Sequence, residues 1–199
     1  MKNENVLCIP LESLKDIFDL TQKYWKCDAN TVNSLPHEYI PRSQAEKDFF
    51  FKQVIPYALV FDIDGKILYY QRHGSEQRLL GLCSAGIGGH VNDKDEGGAT
   101  YGKIISGLKR EMKEELGIDV NEDEIQLLGM INEDITEVGL CHIGIVFKID
   151  TDAQLLDFED EIDNPSWSYI SNLNLQHFEL WSTLAIELLG KSEREAVNK

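Results

Sequence analysis

The segment Thr100 to Leu116, "TYGKIISGLKREMKEEL", constrains the fold more than any other part of the chain. Ile104, Leu108 and Met112 recur at helical spacing and make an apolar stripe that must be buried against another layer. Beside that stripe Glu111 and Glu115 stack on one edge, with Glu114 displaced to the side. Gly117 stands where a left-handed residue ends a helix. The expected helix is therefore anchored in a core along one stripe and collects three carboxylates next to Arg110 along another. Like charges at this spacing repel by about 0.2–0.5 kcal/mol per pair, so the edge calls for a counter-charge or for solvent. Gly107, about 1 kcal/mol worse than Ala in a helix, is expected to keep the acidic edge open to a ligand.

The rest of the chain supplies the other layer. "QVIPYALVFD" and "KILYYQR" are rich in β-branched and aromatic residues and flank Asp64-Gly65, a hairpin signal. "LCSAGI", "EIQLLGMIN" and "SWSYI" read as further strands, and the apolar run "LCHIGIVFKI" as a buried one. "LQHFELWSTLAIELLG" reads as a closing helix with Phe178, Trp181, Leu184, Ala185 and Leu188 inward. The segment 1–52 is expected to be a strand and a helix, "LESLKDIFDLTQKYW", packed on a main domain of residues 53–190, with "NSLPHEYIPRSQAEKD" as a connecting loop and 191–199 as a frayed tail. Phe49, Phe50, Phe51 and Tyr57 are expected to fill core.

With 199 residues, 42% of them hydrophobic, the chain can bury one sizeable core. Its formal net charge of -16 argues against tracking a nucleic-acid duplex, which needs clustered Lys and Arg. No apolar run approaches the roughly 20 residues that span a bilayer, and "MKNEN" lacks a secretory signal, so a cytoplasmic location is expected. The four cysteines, Cys8, Cys27, Cys83 and Cys141, are far apart without a Cys-x-x-Cys pair and are expected to be reduced and mostly buried. An anionic substrate would need a metal or a local basic patch.

Clustered carboxylates without His or Cys among them select a hard cation, Mg2+ or Mn2+. The acidic run from Asp93 is not an EF-hand, because its twelfth position is Ile104. Just before the helix, "GIGGHVN" (Gly86 to Asn92) pairs glycines whose backbone can approach a metal or a phosphate.

Together, "GGHV" followed by "REMKEELGI" resembles the signature of the Nudix superfamily, which hydrolyses substrates with a nucleoside diphosphate linked to another moiety. Arg110, Glu111, Met112, Glu114, Glu115, Gly117 and Ile118 fill every position of the second half of that signature. The first half departs from it. Counted forward from Gly89 the acidic slot falls on Asp95, with Glu96 adjacent; counted back from Arg110 it falls on Gly102, so the loop is about seven residues longer than usual. The chain is similar to a branch described as predicted phosphoesterases, and "IPYALV", "EQRLLG" and "GLCHIGIVF" fit that branch as well.

The resemblance implies an α/β Nudix fold, a mixed sheet sandwiched between helices with an added N-terminal strand and helix. It implies Glu111 and Glu115 as metal ligands, Glu114 as a further ligand or a base, and a carbonyl of Gly88 or Gly89 completing the site. Arg110 would orient a carboxylate, and His90, Arg72 and Arg42 are candidate substrate contacts; Arg42 and Glu46, in the connecting loop, could reach a substrate, surface salt-bridging being the role expected of them. Candidates for a late base are Glu159 and Glu161 in "DFEDEID" and Glu137 in "INEDITEVG". The partner implied is a small phosphorylated molecule, and relatives are commonly homodimers. Two rival functions share the fold: a non-catalytic sensor or partner-binding domain, and an isomerase of the isopentenyl diphosphate type. The latter carries a cysteine directly before Gly-His, where this chain has Gly88-Gly89-His90.

Overall fold

A computed structural model describes residues 4–72, 81–152, 156–158 and 162–197. The elements run β1 (Asn5–Pro10), α1 (Leu11–Lys15), β2 (Tyr24–Trp25), α2 (Ala29–Ser34), β3 (Glu38–Pro41), α3 (Arg42–Ala45), β4 (Phe51–Phe61) and β5 (Ile67–Arg72). After these come β6 (Cys83–Ser84), β7 (Gly86–Ile87), α4 (Thr100–Leu116), β8 (Ile125–Ile131), α5 (Glu137–Cys141), β9 (His142–Asp150), β10 (Ile162–Ser168) and α6 (Leu180–Val197).

The sheet is ordered β10-β5-β4-β9-β8-β2. β4 and β9 lie parallel at its centre, from Gln53 opposite His142 to Phe61 opposite Asp150, while their other neighbours are antiparallel. β4 and β5 are joined by the expected hairpin, with Gly65 at φ 77.

Alternation along the central strands sorts their side chains onto two faces. Val54, Ala58 and Val60 of β4 and Ile143, Ile145 and Phe147 of β9 share a core with Ile104, Leu108, Met112 and Leu116 of α4. Tyr57, Leu59 and Phe61 face the other way and meet Leu184, Ala185 and Leu188 of α6. Burying each large aliphatic side chain is worth about 1.5–3 kcal/mol, so α4 is held by this stripe. On the α6 face a buried polar cluster pins the helix: Tyr57 Oη and Ser84 Oγ donate to Glu179 Oε1 at 3.0 and 2.6 Å, and Ser182 Oγ accepts from the Ala85 amide at 2.9 Å.

The N-terminal segment is woven into this architecture. β1 pairs with both β4 and β3, and the Leu7 amide donates to the Val91 carbonyl at 2.8 Å, so "GIGGHVN" is bordered by β4 and β1. Ala99 gives α4 no side-chain cap; instead Asn33 at the end of α2 accepts from the Tyr101 amide at 2.9 Å.

Several expectations are corrected. The single helix expected over Leu11–Trp25 is only α1, followed by turns and β2. Asp19 Oδ1 takes the Thr21 amide and hydroxyl, and the Trp25 indole donates to the Asp19 carbonyl, a local arrangement that competes with helix. The expected loop from Asn33 onward contains β3 and α3. α6 continues to Val197, beyond Lys191 where a frayed tail was expected to start. Phe49 and Phe50 are exposed, not core, although Tyr57 is buried. Cys8 and Cys141 are buried, Cys27 and Cys83 partly so, and all four are free thiols. Among the described residues no helix is long and apolar enough to cross a membrane.

Candidate functional site

The acidic edge of α4 lies beside the glycine segment that follows β7. Gly88 runs so close to β4 that a Cβ there would collide with the Pro56 carbonyl. At Gly89 a Cβ would come within 2.5 Å of the Glu111 carboxylate. Glycine is thus required at 88 for the chain to pass β4, and at 89 any side chain would displace the Glu111 carboxylate from its place against the backbone. Burial raises the proton affinity of Glu111 above that of an ordinary carboxylate, and the opposing pull of the Arg110 charge offsets this only in part. Glu115 is partly buried on the following turn of the same stripe, and Glu114 is exposed. Gly89→Ala is expected to disrupt the site without a comparable loss of fold; a Mn2+ titration should show affinity lowered at least about tenfold, as for a disturbed ligand orientation.

Arg110 organises the edge. Its Nε and Nη2 meet the two Asp95 carboxylate oxygens at 2.9 and 3.0 Å, Nη2 also donates to the His90 carbonyl at 2.7 Å, and Nη1 reaches Glu111 and Glu114 at 2.6 and 3.2 Å. Burial disfavours the guanidinium charge, but the Asp95 hydrogen bonds and the Glu111 charge outweigh that penalty and hold its proton more tightly than usual. Asp95, which the lengthened loop left uncertain, is buried and also accepts from the Asn92 amide at 2.8 Å, whereas Glu96 is exposed. A Cβ at Gly107 would lie 3.0 Å from Asp95 Oδ2 and 3.1 Å from Val91 Cγ2. This glycine therefore admits Asp95 and Val91 against the helix, a different reason from the open acidic edge expected for it.

On the other flank of the glycines, His90 Nε2 meets His142 Nε2 at 3.1 Å, and His142 Nδ1 meets the Val138 carbonyl at 2.7 Å. Burial, reinforced by the Arg42 charge, pushes the His90 ring down to about 3, and burial likewise lowers His142. A histidine kept neutral when folded contributes stability that is complete above its unfolded value, about 6.5, and is lost as pH falls toward the folded value. Urea unfolding is accordingly expected to show a larger loss of stability from pH 7 to pH 5 in the wild type than in His90→Gln.

Nearby, the buried Lys52 ammonium donates to Asp134 Oδ1 at 2.7 Å and to the Gly139 carbonyl at 2.6 Å. Buried Glu133 takes the Ile135 and Thr136 amides at 2.8 and 3.0 Å and is also bonded to the Thr136 hydroxyl. Lys52 and His142 were missed in the sequence because residues far apart in the chain meet only through the β4–β9 register, and Glu133 because its bonds to the Ile135 and Thr136 amides form only once its turn has folded. Thr136, which caps α5 by accepting from the Gly139 amide, was the one local signal.

The structure thus brings Glu111, Glu114, Arg110, Gly89, His90 and Asp95 together, with Glu115 on the same helix edge. Arg42 pairs with Glu4 and Glu46 at 2.8 and 3.1 Å, close enough for its charge to bear on both histidines. Glu137 is exposed in the first turn of α5. Glu159, Glu161 and most of "EQRLLG" lie outside the described residues, as does the side chain of Arg72.

Comparison with known proteins places this arrangement. No protein-family model matches the chain. It is 35% identical to protein YmaB of Bacillus subtilis (strain 168) over 157 residues, 74% of this chain and 76% of YmaB. It is 30% identical over 127 residues to the uncharacterized Nudix hydrolase all7351 of Nostoc sp., covering 63% of each protein. The crystal structure of Tm1382, a protein assigned to the Nudix hydrolases, superposes with a TM-score of 0.75 at 29% identity over 94% of this chain and 99% of Tm1382. With the loop and acidic helix that carry its signature set as described, the chain belongs to the Nudix hydrolase superfamily.

Proposed function

We propose that this Nudix hydrolase cleaves a diphosphate or related phosphoester bond in a nucleoside diphosphate-linked or similar small substrate, using Mg2+ or Mn2+. The observation that carries the proposal is the Glu111 carboxylate, partly buried, faced by the open side of Gly89, and made more basic by burial than Arg110 alone relieves. The donors on offer, from Glu111, Glu115, Glu114 and the Gly88 or Gly89 carbonyls, are all oxygen and fit a hard divalent ion. Among the described residues no three side chains of His, Cys, Asp or Glu already form a metal cage, and a Gly88 or Gly89 carbonyl would serve as a further partner. When bound, the cation would neutralise charge on phosphate oxygens and ease deprotonation of a water for attack on phosphorus.

The chain's own residues do the rest. Arg110 is anchored by Asp95 and the His90 carbonyl independently of the glutamates, so it orients the helix edge while Nη1 balances Glu111 and Glu114. Glu114, exposed at the rim, is the proposed acceptor of a proton from the attacking water. Glu137 is a second candidate for that role, whereas Glu133 is committed to the amides of its own turn. Arg42, partly exposed beside the histidine pair, is the proposed contact for a substrate phosphate. Fold neighbours sharing 16% and 20% of residues include the Nudix domain of Shewanella oneidensis NrtR with ADP-ribose and, over 42% of its length, a bifunctional NMN adenylyltransferase/ADP-ribose pyrophosphatase of Francisella tularensis complexed with AMP and Mn. They support testing nucleotide-linked diphosphates first.

The test is turnover of nucleotide sugars, dinucleoside polyphosphates and nucleoside triphosphates in 18O-labelled water with Mg2+ or Mn2+. One labelled oxygen in a phosphate product supports water attack on phosphorus. Tight nucleotide binding without product would favour the sensor alternative.

A further inference from the structure

The histidine pair adjoining the glycine segment has its hydrogen-bond directions set by its surroundings. A carbonyl only accepts, so the 2.7 Å contact with Val138 requires His142 Nδ1 to carry a proton. Neutral His142 then has a bare Nε2, and the 3.1 Å contact with His90 requires His90 Nε2–H to be the donor. His90 is consequently held twice, by its ring from β9 and by its carbonyl from Arg110 at 2.7 Å. Arg110 in turn holds Glu111 at 2.6 Å. A continuous chain of hydrogen bonds thus runs from α5, itself tied down by Lys52 through the Gly139 carbonyl, across the glycine segment to the acidic helix.

We propose that His142 is a positioning residue: by accepting the His90 Nε2–H it fixes the Gly88-Gly89-His90 backbone against Glu111 and sets the affinity of the site for its divalent cation. This rests on the metal-dependent reading above. His142 itself touches neither the acidic helix nor the glycine backbone in the contacts described, and it acts through the His90 ring. Loss of an orienting partner of this kind lowers metal affinity by about 10- to 100-fold.

The experiment is Mn2+ titration followed by electron paramagnetic resonance on the full chain, for wild type, His142→Phe and His142→Gln, at a temperature where each is folded. The Gln Oε1 can accept the bond that Phe cannot. His142→Phe is expected to bind Mn2+ at least about tenfold more weakly and His142→Gln within about threefold of wild type. Equal affinities in all three, or equal losses in both variants, would overturn the proposal, since a merely structural role has no reason to distinguish Gln from Phe at the metal. A wild type that binds no Mn2+ would overturn the metal-dependent reading first and the positioning role with it. Should His142→Phe not fold, 15N NMR of the wild-type imidazoles decides: the Nδ1–H form of His142 with the Nε2–H form of His90 is expected, and the reverse tautomer at His142 overturns the proposal.

Discussion

Glu115→Gln is expected to lower turnover about 10³-fold while leaving the fold intact, the loss corresponding to several kcal/mol of stabilisation that a metal ion supplies to a transition state. The substitution preserves shape and removes one negative charge from the stripe that Glu115 shares with Glu111. Its side chain is at the partly exposed edge of α4, whereas the stripe that anchors the helix is Ile104, Leu108, Met112 and Leu116. Gln keeps the length and hydrogen-bonding capacity of the side chain at a position outside the anchoring stripe, so the melting temperature should change by no more than a few degrees. Steady-state kinetics on the first substrate found, alongside thermal unfolding, checks both halves. An active variant with wild-type turnover would remove Glu115 from the machinery.

Asp95→Ala is expected to cost about 3 kcal/mol of folding stability, toward the lower end for breaking a buried ion pair because Arg110 keeps other partners. The Asp95 side chain is only 4% exposed and that of Arg110 27%, so the guanidinium left behind would be only poorly compensated by solvent. The Asn92 amide would lose its acceptor as well. Out of a typical 5–15 kcal/mol, this is a large share. Urea unfolding at pH 7 should show a lower midpoint with an unchanged slope, while Glu96→Ala, at an exposed position in the same loop, should stay within about 0.5 kcal/mol of wild type. A midpoint for Asp95→Ala equal to that of Glu96→Ala would contradict the role given to Asp95.

What could be read in the sequence was what local pattern determines. α4 spans the residues its apolar period and Gly117 indicate, the Asp64-Gly65 hairpin forms, and β9 is the buried strand its composition implies. Local pattern failed where a side chain competes with the backbone, as Asp19 does in the turn that follows α1. It also failed where the site is assembled at long range. Asp95 was placed in an acidic slot by counting, but only the folded loop shows that it grips Arg110 fifteen residues on. His142 and Lys52 carry no motif; they come to the site because β4 and β9 run parallel in a particular register. The expected N-terminal strand is β1, but its pairing with β3 and β4 beside the glycine segment is long-range and no local pattern specifies it.

The most direct test is phosphate release from the substrate panel by protein stripped with EDTA, measured before and after Mg2+ or Mn2+ is restored. Product that forms only with the metal, and that disappears in Glu115→Gln, is the predicted result. Equal product from the stripped protein, or no product from any substrate together with no metal bound by the wild type, would contradict a metal-dependent hydrolase built on the α4 glutamates.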